Sequence, residues 1–174
     1  MAIFKIITRK PRTLHGIIFH INDVRTHSRD DKSGIADYQG LGVDITRAAK
    51  DFALTKVLLH QRTGNMYQHL IVSVTEEESI KKNLLKLCRI ATRIGNYIYH
   101  KEQCQIVWAI HTNTENYHIH FLVNSVRLNG EKYSINWATL NQYKVKFSEF
   151  LIAEDFEGMR MNEYEKEYAK KTSL

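Results

Sequence analysis

Residues 110–125 read IHTNTENYHIHFLVNS and hold three histidines, His111, His118 and His120, in the spacing H-x6-H-x-H. The second half of this stretch is rich in Ile, Phe and Val, which predicts a strand. Side chains two positions apart on a strand point to the same face, so His118 and His120 are expected to be neighbours. Residues 105–110, QIVWAI, predict the preceding strand, and the polar residues 112–117 predict the connection. Antiparallel pairing would then bring His111 close to the other two.

Three imidazoles that converge from two adjacent strands favour a metal site. Burying them together without a metal would leave several ring nitrogens in need of partners. Three nitrogen ligands also leave coordination positions for water or substrate, as catalytic sites require. The alternative is a set of structural histidines, since a chain with nine histidines brings some of them together by chance.

The composition indicates one globular domain over residues 1–174. A hydrophobic content of 43% is enough for a core. There is no apolar run of transmembrane length, and the N-terminal sequence MAIFKIITRK does not resemble a signal peptide. The cysteines, Cys88 and Cys104, lack a metal-binding or redox spacing, so a reducing cytoplasm is the expected location.

The chain carries a formal net charge of +6, which suits a polyanionic partner. Its basic residues are concentrated towards the N-terminus. This bias, beside a metal site, predicts contacts to a phosphate backbone, with an ordinary charged surface as the alternative. The candidate DNA-binding residues are Arg9, Lys10, Arg12, Arg25, Arg29, Lys32 and Arg47.

The first third of the chain predicts a strand over residues 3–8 and an amphipathic helix over residues 12–25. Residues 27–42 are rich in Gly, Asp and Ser, which favours a mobile loop. Asp44 is expected to cap a helix that runs to about residue 55.

The rest of the chain predicts a strand over residues 67–74 and a long helix from Thr75 to about residue 96. After the two histidine strands, Asn129-Gly130 predicts a hairpin into a strand over residues 132–135, and residues 136–154 predict a final helix. This order favours an α+β fold, with a mostly antiparallel sheet of about five strands covered by helices on one face.

Three segments together resemble the relaxases, the plasmid and transposon mobilisation nucleases of the HUH (His-hydrophobic-His) endonuclease superfamily. HTNTENYHIHFLVNSV resembles their third motif, H-x-D-x-x-x-x-H-x-H followed by a hydrophobic strand. Residues 66–78, MYQHLIVSVTEEE, are similar to the second motif, and residues 16–26, GIIFHINDVRT, are similar to the first. The resemblance implies that His111, His118 and His120 bind one divalent ion, Mn²⁺, Mg²⁺ or Zn²⁺.

The resemblance also implies roles for the residues around the metal. Asn113 stands where the third motif usually has Asp, and it is expected beside the metal ligands together with His69 and Ser73 of the second motif. The first motif usually carries a Tyr nucleophile; here His20 takes that position, as in a minority of relaxases. Tyr38 is the rival nucleophile, and His20 is preferred because a helix holds its geometry better than a glycine-containing loop.

A relaxase nicks and rejoins one DNA strand at an origin of transfer through a covalent 5′-phosphate intermediate. The resemblance therefore implies single-stranded and hairpin DNA as partners, accessory relaxosome proteins, and a chain that is the N-terminal part of a longer protein. Tyr67, Trp108 and Tyr117 are candidates for stacking on DNA bases. Two alternatives stay open: a rolling-circle replication initiator with Tyr143 as its nucleophile, and a non-catalytic DNA-binding module.

Overall fold

An antiparallel five-stranded sheet forms the centre of the fold in the computed structural model. The structure describes residues 1–7, 35–61, 63–75, 77, 84–112, 114–163 and 165–167. The strands lie in the order β1-β3-β5-β4-β2. Their bounds are β1 Ile3–Ile7, β2 Ile35–Leu41, β3 Tyr67–Ser73, β4 Cys104–His111 and β5 His118–Arg127. The predicted α+β class and the predicted number of strands are confirmed.

Two helices cover one face of the sheet and form the main core with it. They are α2 (Leu84–Glu102) and α3 (Trp137–Ile152). The strand residues that face these helices alternate with those that point away, as a period of two requires. Trp108 and Phe121 from the central strands pack with Ile94 of α2 and Phe147 of α3 in this core.

A helix also covers part of the opposite face. The sheet therefore carries helices on both faces, and the prediction of a sheet covered on one face is wrong. Helix α1 (Ala48–Leu58) follows a short 3₁₀ turn whose N-terminus is capped by Asp44, as predicted. Its Phe52 packs against Val107 and Leu122 in a second, smaller core. The histidine-bearing ends of β4 and β5 lie beyond this helix on the same face.

Residues 35–41 form an edge strand, which corrects this part of the loop predicted over residues 27–42, whereas residues 27–34 lie outside the described residues. Strand β2 pairs with β4 from Ile35 opposite His111 to Leu41 opposite Ile106. The sequence IADYQGL has a weak alternation, and its strand conformation depends on hydrogen bonds from the otherwise unpaired edge of β4. Local composition does not reveal such a partner 65 to 76 residues away in the sequence.

The predicted strand over residues 132–135 does not form, although the turn before it does. Gly130 adopts a positive φ of 90°, and the chain then makes a single isolated bridge between Lys132 and Val126. The backbone N–H of Tyr133 donates to the oxygen of Ser125 at 2.8 Å, and its side chain enters the core, where its hydroxyl lies 2.7 Å from that of Tyr143. The chain continues into α3, whose predicted N-terminus is confirmed by Asn136 accepting a hydrogen bond from Thr139 N.

The remaining predictions have mixed outcomes. Strands β1 and β3 lie where they were predicted, and α2 extends to Glu102 rather than ending near residue 96. The predicted helix over residues 12–25 lies outside the described residues. None of the described helices has the length and apolar character that crossing a bilayer requires.

Candidate metal centre and DNA-processing site

The β4–β5 hairpin brings the three histidines of residues 110–125 together on one face of the sheet. His111 and His118 are directly opposite each other in the strand register, and His120 is opposite Ala109. Opposed residues and residues two apart share a face, so all three imidazoles project to the same side of the sheet. This arrangement is local, because the two strands are joined by a short connection.

The three imidazoles are close enough to share one ion. One ligand nitrogen from each lies within 4.8 Å of the others. The ring centroids are 4.6 Å apart for His111 and His120 and 4.9 Å apart for His118 and His120. A metal–imidazole bond is about 2.0–2.1 Å long, so an ion between the rings reaches all three after small side-chain rotations. The donor set therefore fits a divalent transition metal.

Hydrogen bonds at the second ring nitrogen orient two of these imidazoles. His118 Nδ1 lies 3.1 Å from the backbone oxygen of Asn116. Because a carbonyl only accepts, this nitrogen carries the proton and donates, which leaves Nε2 with its lone pair. A backbone carbonyl in this position is the usual partner of a metal-ligating histidine. The sequence does not predict this partner, because a backbone oxygen has no signature in residue type.

His69 holds the second imidazole from the neighbouring strand. Its Nε2 lies 2.8 Å from Nδ1 of His120, and its side chain is buried. Ser73 is directly opposite His118 in the β3–β5 register and therefore shares the histidine face. The structure thus places both second-motif residues beside the cluster, whereas Asn113 lies outside the described residues.

The two candidate nucleophiles differ in what the structure describes. His20 lies outside the described residues. Tyr38 lies on β2, opposite Ala109, which is in turn opposite His120, so Tyr38 is on the histidine face. Its side chain is 51% exposed. Tyr38 is therefore held on a strand rather than in a mobile loop, which removes one of the arguments that favoured His20.

Of the seven basic residues predicted to bind DNA, the described part of the chain includes Arg47. It lies at the start of α1, and its side chain is 63% exposed, with a loose ion pair of 3.8 Å to Asp51. Arg47 is thus accessible to a phosphate. Those outside the described residues are Arg9, Lys10, Arg12, Arg25, Arg29 and Lys32.

The structure contradicts two of the aromatic stacking candidates. Trp108 is buried in the main core, on the face opposite the histidines. Tyr67 is buried with Phe52 in the smaller core. Tyr117 is partly buried and packs against the main core. Only a side chain with an exposed ring face can stack on a base, so neither Trp108 nor Tyr67 serves this purpose.

Tyr143 is also placed away from the histidines. Its side chain is fully buried among Phe4, Tyr97 and Phe147, and its hydroxyl donates to Glu102 at 2.9 Å. Burial raises the pKa of Tyr143 far above its ordinary value, and the neighbouring Tyr133 and Glu102 raise it further. A buried, protonated phenol behind the sheet cannot attack DNA, which excludes Tyr143 as the nucleophile of a replication initiator.

The comparisons with known proteins agree with this site. The family model for the relaxase MobA/VirD2-like nuclease domain matches residues 21–156. The chain therefore belongs to the MobA/VirD2-like relaxase nuclease-domain family. The predicted relaxase resemblance and the prediction of a DNA-nicking enzyme are confirmed. The match begins one residue after His20, so it does not bear on the nucleophile.

Solved structures of low sequence identity share the fold. The MobM relaxase domain (MOBV; Mob_Pre), Mn-bound and in complex with plasmid pMV158 oriT DNA, superposes with a TM-score of 0.65 at 14% identity, over 92% of this chain and 90% of that chain. A second MobM complex with the same plasmid's oriT DNA matches with a TM-score of 0.65 at 13% identity, over 99% of both chains. A protein from a study of vancomycin resistance transfer in Staphylococcus aureus matches with a TM-score of 0.53 at 13% identity, over 75% of this chain and 77% of that chain. No curated protein sequence matches the chain significantly.

Proposed function

We propose that this relaxase domain nicks one strand of DNA at an origin of transfer, retains the 5′ end covalently and later rejoins it, and so initiates transfer of a plasmid or transposon. The observation that carries the proposal is the three-histidine cluster on one face of the sheet in a member of a nuclease family. The similarity to MobM, which was solved with Mn and oriT DNA, supports the same substrate class.

His111, His118 and His120 would hold the divalent ion. Three imidazole nitrogens favour Mn²⁺ or Zn²⁺ over Mg²⁺, which prefers oxygen ligands. When bound, the ion supplies positive charge at a non-bridging oxygen of the scissile phosphate and stabilises the charge that develops during attack. His69 and Ser73, together with Asn113, would keep the ligand side chains in position.

His20 would act as the nucleophile. A neutral imidazole nitrogen attacks the scissile phosphorus, an N–P bond forms, and the P–O3′ bond breaks. The departing 3′ oxygen takes up a proton to become a hydroxyl, and the 5′-phosphate stays on the protein. Religation reverses these steps without a nucleotide cofactor, because the covalent bond retains the energy of the broken phosphodiester. Tyr38, exposed on the histidine face, is the competing residue.

The DNA would lie across the histidine face, with its phosphates held by Arg47 and the basic residues of the N-terminal segment. Single-stranded DNA and an adjacent hairpin are the proposed ligands, and accessory relaxosome proteins are proposed partners. Conjugative processing of this kind takes place in the cytoplasm, which is the proposed location.

A selection for covalent adducts tests the function without knowledge of the nick site. The protein is incubated with Mn²⁺ and a library of single-stranded oligonucleotides of random sequence, and DNA that stays attached after denaturation is sequenced. We expect one enriched sequence whose 5′ end is attached to the protein. His118→Ala should yield no adduct, because the metal loses one of three ligands, while retaining single-stranded DNA binding through its basic residues.

The matched control is His100→Ala, since His100 is an exposed histidine on α2, behind the sheet. Adduct formation by His118→Ala at the wild-type rate would contradict the role of the cluster. Specific DNA binding without any adduct from the wild type would show that the domain is a non-catalytic binding module.

A further inference from the structure

A buried lysine lies at a core position of α1. Ala48, Phe52 and Lys56 follow one another at intervals of four residues and form the buried side of this helix. The side chain of Lys56 is only 4% exposed. Its ammonium group donates to the backbone oxygen of Asn65 at 2.7 Å and to Ser125 Oγ at 3.1 Å. These neutral groups accept hydrogen bonds from the ammonium group of Lys56, but they do not neutralise its buried charge.

A second lysine lies near the first. The ammonium group of Lys132 lies 3.4 Å from Thr63 Oγ1. Burial lowers the pKa of Lys56, and the positive charge of Lys132 lowers it further. Across the described ranges, no carboxylate lies within ion-pair distance of either ammonium group. Two like charges, with no carboxylate beside them among the described residues, make this site positive.

A cavity of about 160 Å³ lies between the two lysines. Besides Lys56 and Lys132, it is lined by Thr63, Asn65, Ser125 and Ser134, a set of neutral polar residues that includes three hydroxyl groups. Hydroxyl and ammonium groups both donate hydrogen bonds to anionic oxygen. We call this cavity the Lys56–Lys132 pocket.

We propose that the Lys56–Lys132 pocket binds one phosphate group, and that in the working enzyme this group belongs to the DNA backbone at a distance from the nick. The DNA assignment rests on the proposed function, whereas phosphate binding rests on the pocket alone. A phosphate would place its negative charge between two ammonium groups and accept hydrogen bonds from the hydroxyls of Thr63 and Ser134, since the Ser125 hydroxyl donates to the backbone oxygen of Asn65. The charge of Lys56 would then be compensated despite its burial.

The position of the pocket along β5 determines which part of the DNA it can contact. Ser125 lies on the same strand as His118, seven residues further on. At about 3.3 Å per residue the two sites are about 23 Å apart, which corresponds to about seven base-pair steps of duplex DNA. The pocket therefore cannot touch the scissile phosphate. It would fix a flanking segment, so its loss should weaken DNA binding and raise KM while kcat at saturating DNA stays unchanged.

Salt dependence of DNA binding tests the pocket. The probe is a fluorescein-labelled hairpin oligonucleotide with a single-stranded tail, titrated by anisotropy in EDTA at several salt concentrations. Lys132→Ala removes the exposed lysine and Lys56→Met keeps the volume of the buried one. We expect each to reduce the slope of log K against log salt by about 0.7–0.9, the effect of one lost phosphate contact.

The control is Lys101→Ala, which removes the same charge from α2 behind the sheet, where Lys101 is exposed. Circular dichroism checks that each variant folds. If Lys132→Ala binds with the same slope as Lys101→Ala, the DNA assignment is overturned, even if Lys56→Met does not fold. If inorganic phosphate at constant ionic strength raises the Tm of wild type but not of Lys132→Ala while the DNA slopes are equal, the ligand is a free phosphate ion rather than DNA.

The same measurements separate this proposal from the proposed function. If wild-type protein binds the hairpin and the pocket variants bind it equally well, only the pocket proposal fails. If wild-type protein neither binds the hairpin nor forms an adduct with the random library, the proposed function fails, and the DNA assignment fails with it.

Discussion

The tautomer of His120 depends on a contact between two strands. For Nε2 of His120 to bind a metal, its Nδ1 must carry the proton and donate to Nε2 of His69, 2.8 Å away. His69 must then be neutral, with its own proton on Nδ1. A hydrogen-bond partner at the second ring nitrogen holds the imidazole in place and raises the basicity of the nitrogen that binds the metal.

Replacing His69 tests this role at the level of one hydrogen bond. His69→Phe removes the acceptor and should weaken Mn²⁺ binding by about 10–100-fold. His69→Gln offers a side-chain oxygen that accepts from His120 Nδ1, so it should retain more of the affinity. Isothermal titration calorimetry with Mn²⁺ measures both variants. Equal affinities for Phe and wild type would show that His69 only fills space.

His20 and Tyr38 are the two candidates for the residue that forms the covalent bond to DNA. We expect the DNA adduct to form through His20 and therefore to be acid-labile, because phosphoramidates hydrolyse in acid whereas phosphotyrosine esters persist. Tyr38→Phe should form the adduct, and His20→Ala should not. The measurement is the amount of labelled DNA retained on the protein before and after acid treatment. An acid-stable adduct that Tyr38→Phe abolishes would assign the role to Tyr38 instead.

Among the secondary-structure elements, helix α2 packs tightly against β4 at Gly95. A Cβ atom at Gly95 would lie 2.5 Å from a ring carbon of Trp108, which is itself buried between the helix and the sheet. The absence of a side chain therefore lets α2 approach the strand that ends at His111. The position of this helix supports the strand from behind the site.

Gly95→Ala should destabilise the fold although alanine favours helices. The clash costs about 1–3 kcal/mol, and the gain in helix propensity offsets about 1 kcal/mol of it, so we expect a net loss of up to about 2 kcal/mol. Urea unfolding followed by circular dichroism measures this difference. Thr92→Ala, one turn earlier on α2, is the matched control and should change stability much less. A stabilised Gly95→Ala would mean that Trp108 moves aside freely.

In the whole molecule, one face of the sheet forms the main core and the other carries the histidine cluster. One face carries α2, α3 and the main core, which supply most of the apolar burial. The other face carries the histidine cluster at one end and α1 with its smaller core at the other. The cluster joins β4 to β5, and His69 links it to β3, so metal binding connects the central strands of the sheet.

Metal binding should consequently stabilise the entire fold. At a free Mn²⁺ concentration of 100 times Kd, the free energy of unfolding should rise by about 2.7 kcal/mol, and EDTA should reverse the gain. The Tm measured by calorimetry should rise with Mn²⁺ for wild type and not for His118→Ala. The same rise in both proteins would show that Mn²⁺ binds elsewhere.

The histidine cluster is predictable from the sequence, since every contact that forms it is local. The spacing H-x6-H-x-H, the period of two and a short connection suffice to bring His111, His118 and His120 together. Four features depend on contacts between residues far apart in the sequence and follow only from the tertiary structure. They are the edge strand β2, the contact of His69 with His120, the burial of Tyr143 and the position of Lys56. Their local sequences do not distinguish these outcomes, because the partners that stabilise each lie far along the chain and meet only when the sheet and its helices pack.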